Sequence, residues 1–287
     1  MKIKIKLIKA FTKDKNDGNP AGVVPDADDI SEKDMLKISS DLGFSESAFV
    51  MKSKKADYKI RFFSQTQEVD ICGHATVAAF HCLVESGRIR FDDCNEKTLT
   101  METKTGVFPV TCHKDGLVEM VQDKAQYNDV AVGKREIAKM LNIKETDIME
   151  HPLQIVSVGT PKLMIPLASI DVLFRIRPNL EAIKKYCEES GAKGFYPFCF
   201  ETISKDSDLH ARQFNPLFGI DEDPVTGVAA GALGAYIVHN KISGKRKFIV
   251  EQGYVMKKMG RVYVDVADDE VKIGGYAVAF GENDCDS

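Results

Sequence analysis

Long apolar runs are missing from this chain. No stretch approaches the ~20 residues that a membrane-spanning helix requires, and the opening Met1-Lys2-Ile3-Lys4-Ile5-Lys6-Leu7-Ile8 alternates like a half-buried strand. That pattern predicts neither a spanning segment nor a signal peptide, so no membrane partner is expected. No excess of one charge sign exists either: 39 Lys and Arg stand against 43 Asp and Glu, for a net charge of -4. A nucleic-acid partner is therefore not expected, and the short runs Lys52-Ser53-Lys54-Lys55 and Lys245-Arg246-Lys247 read as solvated loops. The seven cysteines, Cys72, Cys82, Cys94, Cys112, Cys187, Cys199 and Cys285, include no Cys-x-x-Cys pair, which argues for a reducing cytoplasm and against structural zinc. The six histidines, His74, His81, His113, His151, His210 and His239, show no ligand spacing, so no metal is expected.

What the chain does contain is a pattern stated twice. Arg61-Phe62-Phe63-Ser64, followed by Gly73-His74-Ala75-Thr76-Val77-Ala78-Ala79, is echoed by Arg212-Gln213-Phe214-Asn215 and then Asp223-Pro224-Val225-Thr226-Gly227-Val228-Ala229-Ala230. Arg to Thr spans 15 residues in the first copy and 14 in the second. Further out, Gly18-Asn19-Pro20-Ala21 matches Gly159-Thr160-Pro161-Lys162. A strand, a polar loop and a small-residue helix start thus recur at nearly constant spacing, and 287 residues suffice for two such α/β units. The expected lobes are 1–123, completed by a final strand in 271–287, and 133–270, with the polar stretch Lys124 to Val132 as linker. Ser31-Glu32-Lys33-Asp34 has the form of a capping box ahead of a helix. Strands are expected at Glu46 to Val50, Tyr58 to Phe63 and Leu209 to Phe214, buried helices at His74 to Glu85 and Thr226 to Val238, and one closing strand at Val271 to Phe280.

Both buried helices start directly after a loop, where unpaired backbone N–H groups and the positive end of the helix dipole favour an anion. If a pseudo-twofold axis relates the lobes, the two starts face each other across a cleft and suit a carboxylate or an enolate-like transition state. The alternative is that Gly73, Ala75, Gly227 and Ala229 are small because helix and sheet pack closely. Ahead of one helix the chain delivers Cys72-Gly73-His74, and ahead of the other Glu222-Asp223, so an imidazole and a carboxylate are on hand for moving a proton. Each also has a plainer reading, as a helix cap or a packed residue. Glu46 sits inside Phe44-Ser45-Glu46-Ser47-Ala48-Phe49-Val50, whereas the matching strand Phe195-Tyr196-Pro197-Phe198-Cys199-Phe200 has no acid. Such a carboxylate is either a general acid/base with a raised pKa or a salt-bridge anchor.

The motifs Gly18-Asn19-Pro20-Ala21, Ser45-Glu46-Ser47-Ala48-Phe49-Val50, Glu68-Val69-Asp70-Ile71-Cys72-Gly73-His74-Ala75-Thr76, Phe214-Asn215-Pro216 and Glu222-Asp223-Pro224-Val225-Thr226-Gly227 occur in this order over nearly the whole chain. In them the chain resembles the PhzF-like (phenazine biosynthesis PhzC/PhzF) proteins, a branch of the diaminopimelate epimerase-like fold. The resemblance implies two pseudosymmetric α/β lobes, each a curved sheet wrapped around a central helix. It also implies a final strand returning to the first lobe, a homodimer, and no cofactor or metal. The implied activity is isomerisation of a small carboxylated metabolite by proton transfer between carbons, as with trans-2,3-dihydro-3-hydroxyanthranilate in the phenazine enzyme. By motif, Glu46 carries the proton while His74 and Asp223 assist. Asn19, Ser45, Gly73 and Gly227, with the neighbouring helix-start residues Ala75, Thr226 and Val228, fall at substrate-contact positions. Val228 departs from the family, which often has Ser there, and puts the phenazine substrate in doubt. Two rivals remain. One is an amino-acid racemase-like enzyme using Cys72, although Pro224 stands where its second thiol belongs; the other is a non-catalytic binding protein on the same scaffold.

Overall fold

The computed structural model describes residues 2–268 and 270–286. The chain forms two units, one running to Val121 and resuming at Gly274, the other spanning Gln122–Ile273. The first unit contains β1 (Lys2–Ala10), β2 (Asn19–Val24), α1 (Glu32–Leu42), β3 (Glu46–Met51), β4 (Tyr58–Phe63), β5 (Glu68–Val69), α2 (Gly73–Glu85), β6 (Glu96–Glu102), β7 (Val107–His113) and β8 (Val118–Val121). Its sheet runs β1-β2-β3-β4-β6-β7-β8; the β2/β3 and β4/β6 pairs are parallel and the others antiparallel. Each parallel step needs a crossover, and α1 and α2 supply them. Helix α2 touches β1, β2 and β3 as well as β7 and β8, so the sheet curls around it. Its residues are accordingly buried on nearly every side, whereas α1 buries only the stripe Met35, Ile38 and Ser39 on the opposite face of the sheet.

The second unit contains β9 (Gln126–Asp129), α3 (Lys134–Leu141), β10 (Gln154–Ser157), β11 (Lys162–Pro166), α4 (Ile170–Arg175), α5 (Leu180–Ser190), β12 (Phe195–Cys199), β13 (Leu209–Ala211), β14 (Gln213–Asn215), β15 (Ile220–Asp223), α6 (Gly227–His239), β16 (Lys247–Gln252), β17 (Gly260–Ala267) and all but the last two residues of β18 (Glu270–Gly275). From β10 the order is β10-β11-β12-β13-β16-β17, with β11/β12 and β13/β16 parallel. This is the same alternation of antiparallel and parallel pairs as in the first unit from β1 to β7. Helix α6 takes the place of α2, touching β10, β11, β16 and β17. Gly231 and Gly234 let it approach closely: a Cβ at these positions would stand 2.8 Å from Ile273 and 2.6 Å from Val264. The chain ends in β19 (Ala277–Asp286), which pairs antiparallel with β1 and also touches α2 in the first unit.

The repeated Arg is a repeated device. Arg61 grips Glu68 through Nε and Nη2 at 2.7 and 2.8 Å and lies 5.0 Å from the centre of the Phe63 ring. Arg212 grips Glu222 through the same two nitrogens, each at 2.8 Å, and lies 4.9 Å from the Phe214 ring. In both units this fork ties the segment carrying the arginine to the short strand, β5 or β15, that precedes the buried helix.

Three expectations are corrected. The expected linker contains β9, which pairs with β10; its exposed, polar side chains are those of an edge strand and hid the ladder from a hydrophobicity reading. The expected strand Leu209 to Phe214 breaks at Arg212, where the side chain turns to Glu222 and to the carbonyls of Leu173 and Ile176. The expected single strand Val271 to Phe280 is two strands, β18 and β19, separated at Tyr276. There, Gly275 leaves room for Phe11, whose ring a Cβ would meet at 2.4 Å, and the Tyr276 hydroxyl donates to Asp115 at 2.8 Å. Alternation continued across the break because the Gly-Gly pair carries no side chain to contradict it.

Candidate active site

In the first unit Ser45, Glu46, Cys72 and His74 converge. Strand β3 runs parallel to β2 with Ala21 opposite Glu46, and Asn19 lies two residues earlier on β2, so it shares the face of Ala21. Ala48 lies on the same face of β3 as Glu46, while Ser47 on the other face adjoins Gly22. Cys72 is the N-cap residue of α2, with extended backbone and no capping hydrogen bond from its side chain, and His74 lies in the first helical turn. The Thr76 hydroxyl donates to the Cys72 carbonyl at 2.7 Å and braces this corner.

These elements set His74 Nε2 3.5 Å from Glu46 Oε2 and 3.4 Å from Ser45 Oγ, while Cys72 Sγ lies 3.3 Å from His74 Nδ1. Burial pushes the Glu46 carboxyl above the usual carboxylate range, opposed by hydrogen bonds from the Ser45 hydroxyl and the Cys72 thiol. Its side chain is still 22% exposed, which leaves the carboxyl reachable. A carboxyl raised in this way and still reachable is suited to taking up and returning a proton.

The second unit holds Asp223 at the end of β15 and Thr226 as the N-cap residue of α6. Thr226 makes no side-chain bond to its own helix; its hydroxyl donates instead to Asp223 Oδ2. The sequence reading passed over two residues here: Gln252, which organises this turn, and Lys162, whose charge interacts with Asp223. Buried Gln252 donates Nε2 to the Asp223 carbonyl at 2.7 Å, accepts from the Thr226 N–H at 3.3 Å and from the Tyr196 hydroxyl at 3.0 Å. Lys162, 3% exposed, donates to Asn215 Oδ1 at 2.7 Å. Burial pushes its pKa down to about 8, against the pull of the Asp223 charge. A lysine opening the apolar strand Lys162-Leu163-Met164-Ile165 was a legible signal; nothing in sequence singles out Gln252. Gly227 is buried at the start of α6, and the partly buried Val228 presents a methyl 3.5 Å from where a Gly159 Cβ would sit. In the first unit Gly73 and Ala75 are buried at the start of α2.

Gly253 adopts φ +91°, and a Cβ there would stand 2.2 Å from the Lys258 carbonyl and 2.8 Å from that of Pro224. Gly253→Ala is expected to lower stability by about 2 kcal/mol or more and to loosen the Asp223-to-Thr226 turn. An unchanged denaturant midpoint would contradict this close approach.

Residues 8–283 match the phenazine biosynthesis-like PhzC-PhzF family, and the chain belongs to it. It is 38% identical to an uncharacterized isomerase of Clostridium acetobutylicum over 94% of both chains, and 36% identical to the uncharacterized isomerase YfhB of Bacillus subtilis over 92% of both. The crystal structure of a PhzF-family phenazine biosynthesis protein from Bacillus anthracis superposes with a TM-score of 0.90 at 33% identity, covering 99% of each chain. A hydroxyproline epimerase from Agrobacterium vitis shares the fold alone, with a TM-score of 0.65 and 12% identity over 99% of this chain and 91% of its own. The family and its relatives place the chain among enzymes of the isomerase class.

Proposed function

We propose that the protein isomerises a small carboxylated metabolite by moving a proton between its carbons, with the Glu46 carboxyl as the carrier. The observation that bears this reading is the placement of Glu46: a carboxyl on a strand, lifted in pKa by burial, still reachable, and touching His74. A carboxyl serving as a salt-bridge anchor needs a strong cationic partner, and among the described residues neither Lys nor Arg pairs with Glu46. His74 orients the carboxyl and offers a second proton position. In the first unit Asn19 and Ser45 are assigned to substrate polar groups, and in the second unit Asp223 and Thr226 are assigned the same role. Each buried helix start, uncapped by its N-cap side chain, offers backbone N–H groups to an anion. Val228 favours an apolar substrate edge where a hydroxyl would favour a polar one. All seven cysteines are free thiols, in keeping with a reducing cytoplasm, and the family resemblance suggests a homodimer with a biosynthetic role.

The test is deuterium incorporation at carbon in D2O, by mass spectrometry and NMR. Wild type and Glu46→Gln are compared on a panel of cyclic and amino-acid carboxylates that includes dihydro-hydroxyanthranilate. Label that requires Glu46 supports the reading; label entering at the wild-type rate in Glu46→Gln would sink it. On an active substrate, kcat/KM is expected to rise with pH through an acid limb lying above 4.5, the ordinary glutamate value, because burial displaces this pKa upward. A limb at or below 4.5 assigns the titration to another group.

A further inference from the structure

We propose that Glu46, Cys72 and His74 form a binding site for a thiophilic divalent cation of the zinc class, and that filling it shuts down the carboxyl. One donor atom from each residue falls in a cluster no wider than 4.8 Å. Within it, His74 Nε2 is 3.5 Å from Glu46 Oε2 and 4.0 Å from Cys72 Sγ. A tetrahedral zinc centre with bonds of about 2.0–2.3 Å holds its ligand atoms about 3.3–3.8 Å apart, so movements of up to about 1 Å close the set.

All three residues are held by regular structure. Glu46 is on β3, and Cys72 and His74 occupy the N-cap and first turn of α2, which the sheet surrounds. Ser45 Oγ, 3.4 Å from His74 Nε2, or a water completes the fourth position. A thiolate and an imidazole beside one carboxylate select zinc or cobalt over magnesium or calcium, which prefer oxygen alone. The expectation of no metal came from the spacing of histidines and of cysteine pairs. Here Cys72 and His74 are only two residues apart, and the third donor comes from a separate strand, a pattern neither search detects.

The cation would be an inhibitor and not a catalytic partner. Coordination occupies the carboxylate lone pair that the proposed reaction protonates, so metal and proton compete for the same oxygen. The site is read without substrate and stands independently of the proposed reaction; only its inhibitory effect rests on that reading.

The experiment titrates Co2+ alone into the reduced full-length protein under argon, following the thiolate-to-cobalt charge-transfer band and the ligand-field bands of a four-coordinate ion. One equivalent per chain is expected to bind, and zinc to displace it. Cys72→Ser should abolish the charge-transfer band, Glu46→Gln should weaken binding about tenfold or more, and Cys94→Ser, at the exposed thiol, should change neither. Circular dichroism establishes that each variant is folded, and Cys72→Ala serves as a second thiol-free variant. No thiolate band in wild type, a band that survives removal of Cys72, or unweakened binding in Glu46→Gln would each overturn the proposal. If deuterium exchange requires Glu46 but cobalt does not bind, only the cation site falls. If cobalt binds as described but no carbon exchange depends on Glu46, only the isomerase reading falls.

Discussion

Glu46→Gln is expected to lower turnover by about two to four orders of magnitude, the usual worth of a placed acid/base group, while leaving the protein at least as stable as wild type at neutral pH. The stability arm follows from the sign of the pKa displacement. The folded-state carboxyl titrates above its unfolded value because burial disfavours the charge. Its contribution to stability is therefore fully present below the unfolded pKa and is lost as pH rises through the folded one. At neutral pH wild type carries the cost of a partly desolvated carboxylate, and Gln, of the same shape, does not. Denaturation of both proteins across pH is thus expected to show the variant's advantage near neutrality shrinking toward acid. A salt-bridge anchor behaves in the opposite way, with the substitution destabilising most near neutrality. One substitution so separates the two roles that the sequence left open for Glu46.

The lattice of strands and helices was largely legible because the pattern is periodic and stated twice. Strand β4 runs from Tyr58 to Phe63, as alternation predicts, and α2 from Gly73 to Glu85 covers the expected helix His74 to Glu85. What stayed hidden lacks a hydrophobic signal. Strand β9 is exposed along one edge, and its register rests on backbone pairing with β10. The break at Tyr276 depends on Phe11 filling the space beside Gly275, a contact between residues distant in sequence. The candidate site divides in the same way. Ser45 with Glu46, and Cys72 with His74, are adjacent or nearly so in sequence and could be singled out by chemistry. Their mutual approach required β3 and α2 to be set side by side. Gln252 closes the Asp223 turn from the end of β16, and no local motif marks a glutamine for that work. The doubling identified where the two units diverge, whereas the hydrogen-bonded support of each divergent residue is a property of the folded chain.

The duplication also supplies an internal comparison, because one ion pair occurs twice at different depths. Arg212 is 5% exposed at the side chain; besides Glu222, it donates Nη1 to the carbonyls of Leu173 at 3.0 Å and Ile176 at 3.3 Å. Replacing it by Met fills part of the volume but strands a half-buried carboxylate and two acceptors, so Arg212→Met is expected to cost about 3–5 kcal/mol. Arg61 makes the same fork to Glu68, yet it is 19% exposed; its Nη2 also donates to Glu32, which is 70% exposed, and its Nη1 faces Met35 Sδ at 3.9 Å. Water can replace the Glu32 contact, and Arg61→Met is expected to cost about 1.5–3 kcal/mol. Denaturant titration of the two variants tests whether the shared carboxylate fork or the burial of the arginine with its further partners sets the value. A loss for Arg61→Met equal to or larger than that for Arg212→Met would reject burial as the deciding term. A functional consequence accompanies the larger loss. Glu222 is the immediate neighbour of Asp223 on β15, so the Arg212 fork fixes the strand that presents Asp223 and, through Gln252, the turn into α6. At temperatures where Arg212→Met remains folded, its activity is expected to fall further than that of Arg61→Met if Asp223 takes part in the reaction.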